Sequence, residues 1–234
     1  MLGLILSLCV VATGTGPFDT VLDDWTEVQV FPDNHIVLIG CTVCRNNSSP
    51  GMDGEFSQRT QGWSGCSDGR NDPHFIFKSG VSNSECNAAL EAAGAIAFNQ
   101  FPVAYAVERM QVEEAVWEDY LDGSKVMVAV RWIDENGEVR ETAFERFFEE
   151  QSVGRNGEEL IKEFTPHYVY HGSNELNEDV NYGCLVCQQD CSGGLICNNT
   201  GPCCKPVPVM RPDWDLIPEP GTSVTMVIYV MPER

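Results

Sequence analysis

The residues best equipped for chemistry are eleven cysteines. Six crowd the last third of the chain, as Cys184-x2-Cys187-x3-Cys191-x5-Cys197-x5-Cys203-Cys204. Thiolates two residues apart can converge on one ion, as zinc and iron–sulfur sites require, so Cys184, Cys187, Cys191 and Cys197 form one candidate metal set. The spacing departs from the bacterial ferredoxin run C-x2-C-x2-C-x3-C-P. Cys41-x2-Cys44 supplies a second knuckle from the other half of the chain. The competing chemistry is sulfur to sulfur. Without Cys9, ten cysteines remain: Cys41, Cys44, Cys66, Cys86, Cys184, Cys187, Cys191, Cys197, Cys203 and Cys204. That even number suits disulfides, whose pairing the spacing leaves open. A redox-active dithiol is a third use. Such a pair usually opens a helix, where the thiolate is stabilised, whereas Cys41 ends a strand pattern and Cys184 lies in one.

The first residues decide between sulfur and metal. Leu2–Val11 is a short apolar run, half of what a membrane-spanning helix needs, and it matches the h-region of a signal peptide. Small residues at Val10-x-Ala12 or Ala12-x-Gly14 suit cleavage, giving a signal peptide over residues 1–12. A buried N-terminal strand or helix is the alternative. The run lacks a basic n-region, which points to a start upstream of Met1. Leu6-Ser7-Leu8-Cys9 falls short of a lipoprotein box, because Leu8 is bulky where a small residue precedes the lipidated cysteine; lipid anchoring at Cys9 is not expected. No later apolar run reaches membrane-spanning length. Export places the protein in the periplasm or outside the cell, where disulfides persist and free thiols are rare.

Other polar groups offer less. His167 and His171 with Cys184 and Cys187 mimic a zinc set, but two histidines four residues apart on a strand stand roughly 13 Å apart. Ser173 follows His171-Gly172 and makes no G-x-S-x-G elbow. Glu113, Glu114, Glu118, Asp119 and Asp122 read as a solvated acidic face. Asn47-x-Ser49 and Asn198-x-Thr200 fit a glycosylation pattern in loop sequence. There is no phosphate-cradling glycine loop and no EF-hand loop. Fourteen basic against 35 acidic residues give a net charge of −21, which repels nucleic acid and anionic lipid. The acid excess reads first as a solubility device, with calcium or a basic partner as the alternatives, and a protein or envelope component of unknown identity is the partner left open.

The elements that must position these groups can be read from periodicity. Residues 26–40 read as strand, turn, strand around Pro32-Asp33-Asn34. Residues 45–72 read as a long polar loop pinned by Cys41, Cys44 and Cys66, and residues 74–77 as a short strand. Ser82-x-x-Glu85 is a capping box. It opens a helix whose apolar face carries Cys86, Ala89, Leu90 and Ala93 and which Gly94 stops; Cys86 on that face is as suited to a buried thiol as to a disulfide. Residues 125–145 form a hairpin about Asp134-Glu135-Asn136-Gly137, with Val126, Val128, Val130 and Trp132 alternating against Met127, Ala129 and Arg131. Residues 144–164 read as acidic and partly helical. Tyr168–Tyr170 reads as a strand, residues 182–205 as a cysteine-rich hairpin and loop region, and 206–220 as an extended proline-punctuated connection. Residues 222–230 form a closing strand. The fold class is α+β: a mainly antiparallel sheet with one or two packed helices, in one domain over residues 13–234.

Several of these pieces resemble the YdjY-like domain family in order. They are Ser84-Glu85-Cys86-Asn87-Ala88-Ala89-Leu90-Glu91-Ala92-Ala93-Gly94-Ala95, the hairpin stretch Val126–Gly137, Val169-Tyr170-His171-Gly172-Ser173, Gly194-Leu195-Ile196-Cys197, and Ile217-Pro218-Glu219-Pro220-Gly221-Thr222-Ser223-Val224-Thr225. Together they span roughly residues 35–230. The resemblance implies an exported bacterial protein, in a family that is largely uncharacterised and has many planctomycete members. Pro73-His74-Phe75 stands where members often carry a His-Glu pair, and the cysteine-rich stretch after Tyr182 is unusual for them. Some members carry ferredoxin-type labels, which imply an iron–sulfur cluster. The reading that results is a disulfide-stabilised exported domain with a structural or binding role and no catalytic set. A metal-linked redox protein built on Cys184–Cys204, with zinc or an iron–sulfur cluster, is the alternative. In the chain-entropy model each disulfide closing a loop of about 15 residues contributes roughly 3 kcal/mol.

Overall fold

The computed structural model describes residues 16–44, 62–66, 75–97, 123–153, 159–163, 168–170, 172, 183–187, 194–198 and 209–231. Strand β1 (Val28–Phe31) turns through a 3-10 segment at Pro32–Asn34 into β2 (Ile36–Val43). Strands β3 (Gly62–Cys66) and β4 (Phe77–Ser79) precede helix α1 (Asn83–Ala92). The hairpin follows as β5 (Ser124–Ile133) and β6 (Val139–Ala143). A 3-10 turn at Phe144–Phe147 leads to β7 (Phe148–Val153) and β8 (Glu159–Glu163). The remaining strands are β9 (Tyr168–Tyr170), β10 (Cys184–Cys187), β11 (Gly194–Asn198), β12 (Val209–Pro212) and β13 (Ser223–Val230).

The main sheet closes on itself. Its hydrogen-bonded order runs β2-β13-β5-β9-β11-β10-β3-β4, and β4 pairs back onto β2. A ring of strands leaves no long open edge, which removes the usual site of strand-to-strand aggregation. Two strands stand off the ring: β1 pairs only β2, and β6 pairs only β5. β12, β7 and β8 form a separate three-stranded sheet. Most pairings are antiparallel; β10–β11 and β3–β4 are parallel.

β13 holds the ring together, paired with β2 from Ser223 to Tyr229 and with β5 from Thr225 to Val230. The alternation read in β5 is observed. Val126, Val128 and Val130 join the main core, while Met127 and Ile133 are exposed. The same core takes Val37, Ile39, Phe77, Leu90, Met226 and Ile228. A second, smaller cluster on the other side of the strands gathers Leu22, Ile36, Leu38, Ala129 and Val227.

Helix α1 begins and ends as its sequence dictates. The Ser82 hydroxyl accepts from the Glu85 amide at 3.4 Å, and the Ser82 amide donates to the Glu85 carboxylate at 2.9 Å, completing the capping box. Gly94, at φ +93°, closes the other end. Its amide donates to the Glu91 carbonyl, and the Ala95 amide to that of Leu90, which is the paired closure a left-handed residue permits. Cys86, Ala89, Leu90 and Ala93 are all buried.

Four regions differ from their sequence reading. Residues 62–66 form β3 within the stretch read as loop. The described residues of 144–163 hold one 3-10 turn and two strands where a partly helical stretch was expected: Phe144 and Phe147 sink into the core, where Phe77 meets them at 5.9 and 5.5 Å between ring centroids. The two described strands of the cysteine-rich region, β10 and β11, do not pair as a hairpin. β11 is antiparallel to β9, and that direction leaves it parallel to β10. In the connection read as extended, β12 forms over Val209–Pro212.

Candidate functional site

The cysteines fall into distinct surroundings. Cys41 on β2 and Cys86 on α1 are both buried in the main core. Cys44, just past β2, is half-buried, and its amide donates to the Ile76 carbonyl at 2.7 Å. Cys66 ends β3, with its backbone opposite Ser79. Cys184, Cys187 and Cys197 come together with Phe75 in a fully buried cluster. Cys187 and Cys197 are register partners across β10 and β11. A Cβ placed on Gly194 would stand 2.7 Å from the Cys187 sulfur and 3.0 Å from that of Cys197, so both sulfurs crowd the space that glycine leaves. Cys9, Cys191, Cys203 and Cys204 lie outside the described residues, as do His74, His167, His171, Ser173 and the acidic run Glu113–Asp122. Among the described residues no three His, Cys, Asp or Glu side chains are grouped to hold a metal ion. Of the candidate four-cysteine ligand set, Cys184, Cys187 and Cys197 meet, and Cys191 lies outside the described residues.

The larger feature is one that spacing did not reveal. A groove of about 680 Å³ lies along β5 from Lys125 to Ala129. Its other walls are Glu141, Ala143, Glu145, Tyr168, Val169, Tyr229 and Met231. These residues come from five separate segments, which is why no motif announces them. The groove exists because β5 changes partner. On one side it pairs β9 at Ser124 and Lys125, and β6 from Ala129 to Ile133. Between these pairings, Val126–Val128 has no strand partner on that side among the described residues. The cause is local. Phe144 turns into the core, 5.1 Å from Phe148 and 6.1 Å from Tyr168 between ring centroids, and this pulls the chain off the ladder at Ala143.

The chemistry of the groove is mixed. Met127 and Met231 are 55% and 41% exposed and offer deformable apolar surface. Glu141 is already committed: it accepts from Arg131 Nε at 2.7 Å and from the Tyr229 hydroxyl at 2.9 Å. Arg131 itself is buried and donates to the Pro17 and Thr20 carbonyls at 2.8 and 2.9 Å, tying down the N-terminal strap of residues 16–26. Burial, then the Glu141 hydrogen bond and charge, pushes the Tyr229 phenol up. Glu145 is half-buried, and its carbonyl accepts from the Phe148 amide. The Tyr168 hydroxyl is buried without a hydrogen-bond partner. Desolvation, followed by the charges of Glu145, Cys187 and Cys197, raises it well above its ordinary value, so it stays protonated.

The family model of the YdjY domain matches residues 33–229. The chain belongs to the YdjY domain family. The match begins inside the 3-10 segment that follows β1 and runs through β13 to Tyr229, so the ring, the buried cysteines and every groove residue but Met231 lie within the YdjY domain. The strap that covers Arg131 precedes it. No curated protein and no solved structure matches this YdjY domain. Among its described residues, no helix is long and apolar enough to cross a membrane.

Proposed function

We propose that this YdjY domain is an exported, disulfide-braced protein that works by binding and not by catalysis, with the groove along β5 as its binding surface. The groove carries the reading. Its walls are β5, β9 and β13 of the ring with β6 and the 3-10 turn beside them, so its shape is set before any ligand arrives, as in a preformed recognition site. Export rests on Leu2–Val11, and the bracing rests on the even cysteine count that cleavage after Ala12 leaves. The net charge of −21 favours a basic protein or an envelope component as partner.

Two measurements test this. Protein recovered from the exported fraction of its host should begin after residue 12 and gain no mass on alkylation under denaturing, non-reducing conditions; ten alkylated thiols would defeat the bracing. Methyl resonances of Met127 and Met231, followed by NMR, should shift when a soluble extract of the same compartment is added, while buried Met226 does not. Unmoved signals would defeat the binding role.

A further inference from the structure

The ring contains two forks, and the protein fills one of them itself. At β2 the partner changes from β1, which pairs as far as Ile39, to β4, which begins at Thr42. Residues Asp24–Glu27 form a turn beside that gap, in which the Glu27 amide donates to the Asp24 carbonyl at 3.1 Å. Gly40 donates to the Glu27 carbonyl at 2.8 Å, and Gly80 donates to the Trp25 carbonyl at 2.7 Å. The approach is so close that a Cβ on Gly40 would overlap the Asp24 carbonyl. At β5 the partner changes in the same way, from β9 to β6, and there the gap opens into the groove.

The Met231 amide donates to the Lys125 carbonyl, so Lys125, Met127 and Ala129 turn their backbone groups toward β13. By strand alternation Val126 and Val128 turn theirs toward the fork. The groove thus presents main-chain groups at its base, apolar Met127 and Met231 on one flank, and the half-buried Glu145 carboxylate at the end of β6. Lys125 stands at the β9 end, but it is exposed and water screens it.

We infer that the β5 fork is a peptide site: an extended segment of another polypeptide, carrying lysine or arginine, lies against Val126–Val128. Backbone hydrogen bonding gives such a segment its alignment, and alternate side chains meet the methionine flank and Glu145. The acidic field of the whole chain draws a basic segment and repels an acidic one. This inference rests on the groove being a binding surface.

The probe is an acetylated, amidated hexapeptide of alternating valine and lysine, titrated against the full protein with the Met127 and Met231 methyl signals as readout. Saturable one-to-one shifts are expected. Binding should weaken about 5-fold in Glu145→Gln and at least about 10-fold in Met127→Lys, since a charge-assisted contact and an apolar flank are removed in turn. A glutamate-for-lysine peptide, and one with proline at two central positions, should bind at least about 10-fold more weakly. Circular dichroism establishes that each variant is folded. Failure of the lysine peptide to move the signals overturns the inference, as does equal binding of the acidic or the proline peptide. If the compartment extract moves the two methionines and the lysine peptide does not, the occupant is wrong and the binding role stands. If neither moves them, both fall.

Discussion

Replacing Arg131 with methionine should detach the N-terminal strap without breaking the ring. The guanidinium is 1% exposed and holds three acceptors: the carboxylate of Glu141 and the carbonyls of Pro17 and Thr20. Methionine keeps most of the buried stem and removes every donor. Breaking a fully buried pair costs about 3–5 kcal/mol, because the remaining charge is stranded. Here the Glu141 side chain is 35% exposed and keeps its bond to Tyr229, so it can rehydrate. The two carbonyls can recover water only if the strap lifts. The expected loss is therefore about 2–3 kcal/mol, the range for hydrogen bonds to a charged group. Urea denaturation of the wild type, Arg131→Met, Glu141→Gln and the double variant gives the cycle, with a coupling of about 1–2 kcal/mol expected for groups in direct contact. Local detachment has its own signal. The Leu22 amide is buried and donates to Thr225 Oγ1 at 2.7 Å, so its hydrogen exchange should accelerate in Arg131→Met while amides of β13 stay protected. A loss under about 1 kcal/mol, or unchanged exchange at Leu22, would refute the idea that one buried cation fastens the strap.

Other perturbations address the remaining arguments. Gly40→Ala should destabilise the protein by about 2–4 kcal/mol in the same urea assay, because the new methyl meets backbone atoms of Asp24 and no side chain can yield. Tyr168→Phe should leave stability unchanged or raise it by about 1 kcal/mol, since the hydroxyl removed is buried and unsatisfied; a clear loss would reveal a partner for it. Ser82→Ala should cost about 1 kcal/mol through the lost cap. It should also alter the acid limb. Hydrogen bonds from Ser82 hold the Glu85 carboxyl below its ordinary 4.5, so its contribution is present above that pH and lost as pH falls through the lower, folded value. Stability measured downward from pH 5 should therefore fall less steeply in Ser82→Ala than in the wild type.

Local signals were legible wherever one element carried its own boundary. The Ser82–Glu85 box and Gly94 bracket α1, and the Asp134–Gly137 turn sits between β5 and β6, with the Gly137 amide donating to the Asp134 carbonyl. The strict alternation of β5 identifies its buried face. What could not be read is whatever depends on partners distant in sequence. Phe144, Phe147 and Phe148 give an apolar spacing that suits a helix, and their contacts with Phe77 and Tyr168 convert it into a 3-10 turn and a strand. Closure of the ring depends on β4 returning to β2, a pairing of two residues that leaves no mark in either segment. The cysteines were visible, and so was the crowding after Tyr182; that Cys184, Cys187 and Cys197 share one buried pocket beside Gly194 follows only from the parallel register of β10 and β11.

The same distinction explains why the groove escaped a reading based on motifs. A catalytic set or a metal site must bring reactive residue types together, and those types stand out in a chain. A site built from a change of strand partner needs only a place where pairing stops, and ordinary residues line it. In this chain Val126, Met127 and Val128 look like the middle of any amphipathic strand. Their distinction is topological: β6 leaves at Ala143 and β9 reaches only Lys125. The cost of leaving such an edge open is lowered by water while the site is empty and is recovered when a ligand supplies the missing hydrogen bonds. At β2 the protein meets the same problem and solves it with Trp25–Glu27, accepting a glycine at residue 40 as the requirement. That the chain seals one interruption with its own backbone and shapes the other into a groove flanked by methionines is the physical ground for assigning recognition to β5.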